Sequence, residues 1–219
     1  METYFDRYVV SGGILMFFLI PCSFLAVWFI FQGLINLRRA RIAPRSLVQM
    51  AEKILSPEDA GQFRDQIQKD GSSLASILRR LRDLDPQPSP DQIEDLSAEF
   101  IDDEISRLYH KNNQLAVIYT VSPLLGLLGT ILGMMKTFYI FSMTEEHSLS
   151  QLSRGINEAL VTTMWGLFIA IPSFVVLYLF KQKLFYYEMN LLPRAVKNAW
   201  HRLAKYESPG SPKSGEPEL

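Results

Sequence analysis

The chain has 219 residues and a formal net charge of −1, from 22 Lys and Arg against 23 Asp and Glu. This balance argues against electrostatic binding of nucleic acid, and the single cysteine excludes an intramolecular disulfide framework. The apolar residues fall in three blocks without Asp, Glu, Lys or Arg, which contain 30, 24 and 22 residues and follow Arg7, Lys111 and Glu158. Because about 20 apolar helical residues cross a hydrocarbon core, the sequence predicts three transmembrane helices in a lipid bilayer and excludes an ordinary soluble domain.

The first block predicts a transmembrane helix at residues 9–33, after a short external N-terminus at residues 1–8. Four arginines follow this helix, Arg38, Arg39, Arg41 and Arg45, whereas the preceding segment is acidic overall. An excess of arginine marks the cytoplasmic side, so the N-terminus is expected outside. The helix is rich in Phe, Leu and Ile and is expected to be the outer, lipid-facing span.

Residues 34–114 are predicted to form a cytoplasmic helical domain. Ser56-Pro57-Glu58-Asp59 has the cap, the proline and the acids of a helix start, and Ser89-Pro90-Asp91-Gln92 repeats the pattern. The alternating prolines at residues 85–90 interrupt any helix between them. No Gly or Pro intervenes between Pro90 and Pro123, so this pattern allows one helix to run from the cytoplasm through the membrane. The sequence assigns this domain no role beyond packing.

The second span is predicted at residues 115–142, an external turn at 143–152 and the third span at 153–180. A cytoplasmic helix at 181–207 and a disordered tail at 208–219, rich in Pro, Gly and Ser, complete the chain. The expected fold is therefore an all-α integral membrane protein with its N-terminus outside and its C-terminus inside. Two long helices are expected to extend into the cytoplasm.

The second and third spans each carry one stripe of small and hydroxyl residues. The stripe of the second span consists of Ser122, Gly126, Thr130, Gly133 and Thr137. The stripe of the third span consists of Ala159, Thr163, Gly166, Ala170 and Ser173, with Glu158 and Thr162 on its edge. Such stripes let another helix approach closely. Gly129 and Gly133 also form a small-xxx-small pair, which alone indicates no more than ordinary helix packing.

Glu158 is the most informative residue of the third span, and two interpretations of it stay open. It is either an acid in the first helical turn that faces the positive end of the helix dipole, or a carboxylate on an ion pathway. Thr162 and Thr163 lie one turn deeper, where a hydroxyl either bonds back to its own helix or passes a proton through water.

Enzymatic chemistry has no visible site in this sequence. His110, His147 and His201 are isolated from any second ligand at metal spacing, and no Walker motif or nucleophile elbow occurs. We therefore expect no metal, no cofactor and no enzymatic activity.

Two segments resemble the signatures of one family, the MotA/TolQ/ExbB proton channels. Ser122-Pro123-Leu-Leu-Gly-Leu-Leu-Gly-Thr-Ile-Leu-Gly-Met-Met-Lys-Thr-Phe138 is similar to its second-helix signature, and Gly155-Ile-Asn-Glu-Ala-Leu-Val-Thr-Thr-Met-Trp-Gly-Leu-Phe-Ile-Ala-Ile-Pro172 to its third. Three spans with a large first cytoplasmic loop resemble the ExbB/TolQ branch more than the four-span MotA branch. The chain departs from the pattern at Ser122, where Ala is usual, and at Trp165, where a small residue is commoner.

The resemblance implies a pentameric bundle whose second and third helices line a central pore. That pore would hold a single-span ExbD/TolR-type partner with a protonatable membrane Asp. By motif alignment, the family's pore threonines fall on Thr130 and Thr163, and its glutamate falls on Glu158.

The resemblance implies a proton-channel and motor subunit in the bacterial inner membrane, which couples the proton motive force to work across the periplasm. One acid and a few hydroxyls are too few to carry protons across a bilayer core, so a second chain is expected to supply a titratable group. The alternative is a passive membrane scaffold that anchors a complex through its cytoplasmic helices. The sequence does not identify the process that is powered.

Overall fold

The computed structural model describes residues 15–84, 90–143 and 149–207. The described residues form nine α-helices and one π-helical turn, without a strand among them. In chain order these are α1 (Met16–Asn36), α2 (Arg39–Ile42), α3 (Arg45–Glu52), α4 (Pro57–Lys69), α5 (Ser73–Arg82), α6 (Pro90–Asn112), α7 (Gln114–Met143), α8 (Leu149–Tyr186), the π-helical turn (Tyr187–Leu191) and α9 (Leu192–Glu207).

Three helical stretches are long and apolar enough to cross a membrane: Met16–Asn36, Gln92–Met143 and Leu152–Tyr206. The prediction of an all-α membrane protein with three candidate spans is therefore confirmed. Four predicted segments lie wholly or in their centres outside the described residues: the external N-terminus, the disordered tail, the proline break and the external turn.

The sequence allows a single helix from Pro90 onwards, and the structure divides this stretch at Asn113, which separates α6 from α7. The Asn113 N–H donates to the His110 carbonyl at 3.3 Å, and the Ala116 N–H donates to the Asn113 carbonyl at 2.9 Å. Both bonds join residues three apart, so the chain tightens locally into a 3₁₀-type turn.

The chain divides into two compact units. The first, here called the span unit, contains Met1–Leu34 and His110–Phe180. The second, here called the helical unit, contains Ile35–Tyr109 and Lys181–Leu219. The two regions predicted to be cytoplasmic therefore fold largely together.

In the helical unit, α4 begins as the sequence predicts. Ser56 Oγ accepts from the Asp59 N–H at 3.1 Å, and the Asp59 carboxylate accepts from the N–H groups of Ser56 at 3.0 Å and Leu55 at 3.1 Å. A hydrogen bond from the Ser56 side chain to the carboxylate, followed by those from the N–H groups of Leu55 and Ser56, holds the pKa of the Asp59 carboxyl below its usual value. Pro57 occupies the first helical position, which needs no donor.

The core of the helical unit forms where α9 packs against α3, α4 and α5. It contains the buried side chains of Leu47, Phe63, Ile77, Leu81 and Val196. Glu104 of α6 is also buried and accepts hydrogen bonds from Ser73 Oγ at 2.9 Å and from Arg107 at 3.0 Å.

In the span unit, α1 packs against α7 and α8 along one side. Met16, Leu19 and Ala26 of α1 form a buried cluster with Ile118 and Ile169. The opposite face of α1 exposes large apolar side chains, namely Phe17, Phe24, Trp28 and Phe31. This distribution agrees with a helix that turns one face to lipid.

Candidate functional site

The two stripes of small residues face each other in the contact between α7 and α8, here called the seam. A Cβ added at Gly126 would lie 3.0 Å from the Thr163 Cα, and one added at Gly133 would lie 3.0 Å from the Ala159 Cβ. A Cβ added at Gly166 would lie only 2.6 Å from the Ser122 carbonyl oxygen. These neighbours are backbone atoms or short side chains, which cannot move aside. The close approach of the two backbones therefore requires glycine at these positions.

Most stripe hydroxyls bond to their own helix. Thr137 donates to the Gly133 carbonyl at 2.7 Å, and Ser173 donates to the Ile169 carbonyl at 2.8 Å. Thr162 is 2 % exposed, contacts Gly129 inside the seam and donates to the Ala159 carbonyl at 2.7 Å.

Two hydroxyls of the seam depart from this pattern. Thr163 Oγ1 donates across the seam to the Gly126 carbonyl at 2.9 Å and so links α8 to α7. Ser122 Oγ is fully buried and has no hydrogen-bond partner among the described residues. Pro123 follows it within α7, and Ala170 is buried in α8.

The seam has a covered side and an open side. On the covered side, Leu125 and Trp165 pack against the cluster formed with α1. Trp165 therefore lies against the first span, where its ring also makes an edge contact with Phe168 at 5.7 Å between centroids.

The open side of the seam is a groove of about 760 Å³. It is lined by Thr130, Ile131 and Met134 of α7, by Ile156, Ala159 and Leu160 of α8, and by further apolar and aromatic side chains. Thr130 donates to the Leu127 carbonyl at 2.6 Å and remains half-buried at the groove wall. None of the described residues that line the groove carries a carboxylate.

Glu158 lies in a different cavity, of about 270 Å³, at the end of α7 and α8 where the chain turns between them. Lys136 and Arg154 line the same cavity, so two cations surround one acid. In the part of the chain that the structure describes, no ion pair joins Glu158 to either cation. At 100° per residue, Glu158 lies about 140° around α8 from Thr163, away from the groove.

The interpretation of Glu158 as a first-turn acid is wrong. The structure begins α8 at Leu149, whereas the sequence predicted the span from residue 153, and no acid lies in the first helical turn. Glu158 follows nine residues later, more than two turns into the helix. Because the dipole acts within the first turn, it does not account for this carboxylate.

The structure thus places the four predicted pathway residues in three locations: Thr130 at the groove, Thr162 and Thr163 in the seam, and Glu158 in the turn-end cavity. Sequence reasoning missed Lys136 and Arg154 as companions of Glu158, although Arg154 precedes Glu158 by four residues and so shares its helix face. No group of three or more potential metal ligands occurs among the described residues.

Comparison with known proteins identifies the family. Residues 65–191, more than half of the chain, match the MotA/TolQ/ExbB proton channel family. The chain is 31% identical over 166 residues to the putative biopolymer transport protein ExbB-like 3 of Synechocystis sp.. The aligned stretch covers 75% of this chain and 79% of that protein.

Two other relatives match over shorter stretches. The biopolymer transport protein ExbB of Salmonella typhimurium is 38% identical over 80 residues, 36% of this chain and 33% of the relative. The Tol-Pal system protein TolQ of Haemophilus influenzae is 41% identical over 70 residues, 32% of this chain and 31% of the relative. The chain thus spans about a third of these two relatives. The family match and the relatives named ExbB and TolQ show that this multi-pass membrane protein, with its three candidate spans, belongs to the MotA/TolQ/ExbB proton channel family, as a subunit of the ExbB/TolQ type.

Proposed function

We propose that this protein conducts protons as part of an energy-transducing complex in the bacterial inner membrane and couples their flow to work across the periplasm. The observation that carries the proposal is the open side of the seam. Helix α1 covers one side and leaves the other as a groove with Thr130 in its wall. Thr163 follows Ala159, a groove residue, by four positions and so lies on nearly the same face of α8.

The composition of the groove supports a second chain as the carrier of the titratable group. Threonine hydroxyls relay a proton only if a donor and an acceptor lie next to them, and no carboxylate lines the groove among the described residues. A single-span partner of the ExbD/TolR type, with an Asp in its membrane helix, would supply that group. A proton that crosses a potential of 100 mV releases about 2.3 kcal/mol, enough per step to bias the movement of one packed helix against another.

The proposal assigns the polar residues to separate roles. Thr130 and Thr163 border the partner's Asp, and five copies of the chain place their open seams around one axis. Glu158 lies where protons enter or leave the path, since its cavity is at the end of the spans. Thr162 serves helix packing, because its hydroxyl is enclosed in the seam. We propose no enzymatic reaction for the chain.

Two neighbouring threonines provide the matched test. The full-length chain is reconstituted in vesicles with its ExbD/TolR-type partner, and proton flux is followed with an internal pH-sensitive dye. Thr163→Val keeps the shape of the side chain and removes the hydroxyl, so partner-dependent flux should fall at least tenfold. Thr162→Val, which changes a hydroxyl away from the groove, should keep flux within about twofold of the parent chain.

Assembly with the partner is measured for both variants by co-purification. If Thr163→Val assembles and conducts like the parent, the role of Thr163 is wrong. If the parent complex moves no protons above the level of empty vesicles, the passive scaffold is the better account.

A further inference from the structure

Two short basic segments directly follow the uncharged apolar blocks of the first and third candidate spans. Arg38, Arg39 and Arg41 begin two residues after the end of α1 at Asn36, and Lys181 and Lys183 follow the apolar block of α8. All five side chains are exposed. By chain connectivity, each segment lies at a membrane boundary, within a few residues of hydrocarbon.

The fold of the helical unit brings the two segments together at Tyr187. The phenol of Tyr187 is buried and donates to the Leu37 carbonyl at 3.1 Å. Lys183 Nζ lies 6.0 Å from the centre of the Tyr187 ring, and Arg39 is within electrostatic range of the same side chain. Lys181 of the same segment lies with its Nζ 5.4 Å from the centre of the Tyr109 ring. We call the exposed cations of these two segments, Arg38, Arg39, Arg41, Lys181 and Lys183, the exit surface.

The backbone under the exit surface is held in place. Leu37 is 1 % exposed, and Ile42, one position after Arg41, is completely buried. These two side chains anchor the segment in the core of the helical unit, so the arginines between them point outward. The surface is therefore preformed, and a ligand need not order the backbone to bind it.

The positive charge of the exit surface is not compensated by the chain. No Asp or Glu occurs from residue 7 to residue 51, and none of the five cations takes part in an ion pair within the described residues. Some cations elsewhere in the same unit face acids: Arg80 pairs with Asp103 at 2.8 Å, and Lys197 pairs with Glu94 at 3.6 Å. Five exposed cations on two segments that meet in the fold concentrate positive charge in one region, which favours an anion from outside the chain.

We propose that the exit surface binds the headgroups of anionic phospholipids, of the phosphatidylglycerol class, in the adjoining leaflet. Position and charge both favour lipid over a soluble anion, because the cations lie next to hydrocarbon and spread over two chain segments. A basic side chain near an anionic membrane contributes about 1 kcal/mol, or about fivefold in affinity. The proposal is independent of proton conduction, since it concerns only the boundary residues of the helical unit.

The test uses the full-length chain in a neutral detergent, titrated with phosphatidylglycerol or phosphatidylcholine, with bound lipids counted by native mass spectrometry. The parent chain should prefer phosphatidylglycerol, and 0.5 M salt should weaken the preference. R38Q/R39Q/R41Q should lose about 100-fold in affinity for phosphatidylglycerol at low salt. The control K53Q/K69Q/K205Q removes the same charge from exposed positions outside the two basic segments and should stay within about threefold of the parent.

Three outcomes would overturn the proposal: equal binding of the two lipids by the parent, undiminished phosphatidylglycerol binding by the arginine variant, or an equal loss in the control. Saturation by glycerol phosphate alone would assign the surface to a soluble anion. Helicity is checked by circular dichroism. If the arginine variant does not fold, K181Q/K183Q decides the matter through an expected loss of about 25-fold.

Discussion

The closest backbone approach in the seam predicts a large effect from one methyl group. Gly166→Ala would place a Cβ 2.6 Å from the Ser122 carbonyl oxygen, against an ordinary contact distance of 3.4 Å or more. Since the obstacle is backbone, no side chain can rotate away, and α7 and α8 must separate by about 0.8 Å.

The change in the free energy of unfolding has two destabilising contributions and one stabilising contribution. Overpacking of this kind costs about 1–3 kcal/mol. The separation also lengthens the hydrogen bond from Thr163 to the Gly126 carbonyl, now 2.9 Å, and such a bond contributes about 0.6 kcal/mol in a membrane protein. The higher helix propensity of alanine stabilises the folded state by up to about 1 kcal/mol. The net loss in the free energy of unfolding should be about 1–3 kcal/mol.

Unfolding of the full-length chain by sodium dodecyl sulfate in mixed micelles, followed by circular dichroism, measures this loss. Gly61→Ala in α4 is the matched control, because nothing lies within 4 Å of its added Cβ. It should leave stability unchanged or raise it by up to about 1 kcal/mol. A Gly166→Ala variant as stable as the parent would show that the two spans do not meet at this distance.

Two further predictions concern the helical unit. Because its hydrogen bonds lower the pKa of Asp59, the carboxylate stabilises the folded state fully above its unfolded pKa of about 4, and this contribution is lost as pH falls through the lowered value. Asp59→Ala should therefore flatten the dependence of the melting temperature on pH below about 4. An unchanged acid profile would refute the link to Ser56. Glu104→Ala should lower the free energy of unfolding in urea by about 1–3 kcal/mol, because it leaves the buried hydroxyl of Ser73 without its acceptor. Glu99→Ala on the exposed face of α6 is the control and should lower it by under about 0.5 kcal/mol. Equal losses would contradict the buried hydrogen bond.

The parts of the fold that depend on local pattern were predictable from the sequence. Uncharged blocks of 22 residues or more indicate transmembrane spans, because helices in soluble proteins rarely contain so many consecutive residues without a charged side chain. The start of α4 was predictable for a similar reason, since a capping box is a contact between residues three apart.

The tertiary arrangement of the site was not predictable in the same way. Periodicity places Thr130 and Thr163 on stripes, but it does not say which side of the seam α1 covers. That side is decided by the packing of Trp165 and Leu125 on the first span. The role of Glu158 depended on where α8 begins, and a polar turn does not mark that boundary to within one helical turn.

The meeting of the two basic segments required the folded structure for a different reason. Leu37 and Tyr187 are 150 residues apart in sequence, and only their hydrogen bond in the helical unit brings Arg39 and Lys183 to one surface. The sequence explained these cations individually, as markers of the cytoplasmic side.

Partner dependence of proton flux tests the central claim most directly. Vesicles that hold the full-length chain alone, and vesicles that hold it with its ExbD/TolR-type partner, are compared under the same membrane potential of about 100 mV. The groove lacks a carboxylate of its own among the described residues, so the complex should acidify the vesicle interior while the chain alone stays at the rate of empty vesicles. Equal flux with and without the partner would contradict the claim that a second chain completes the proton path.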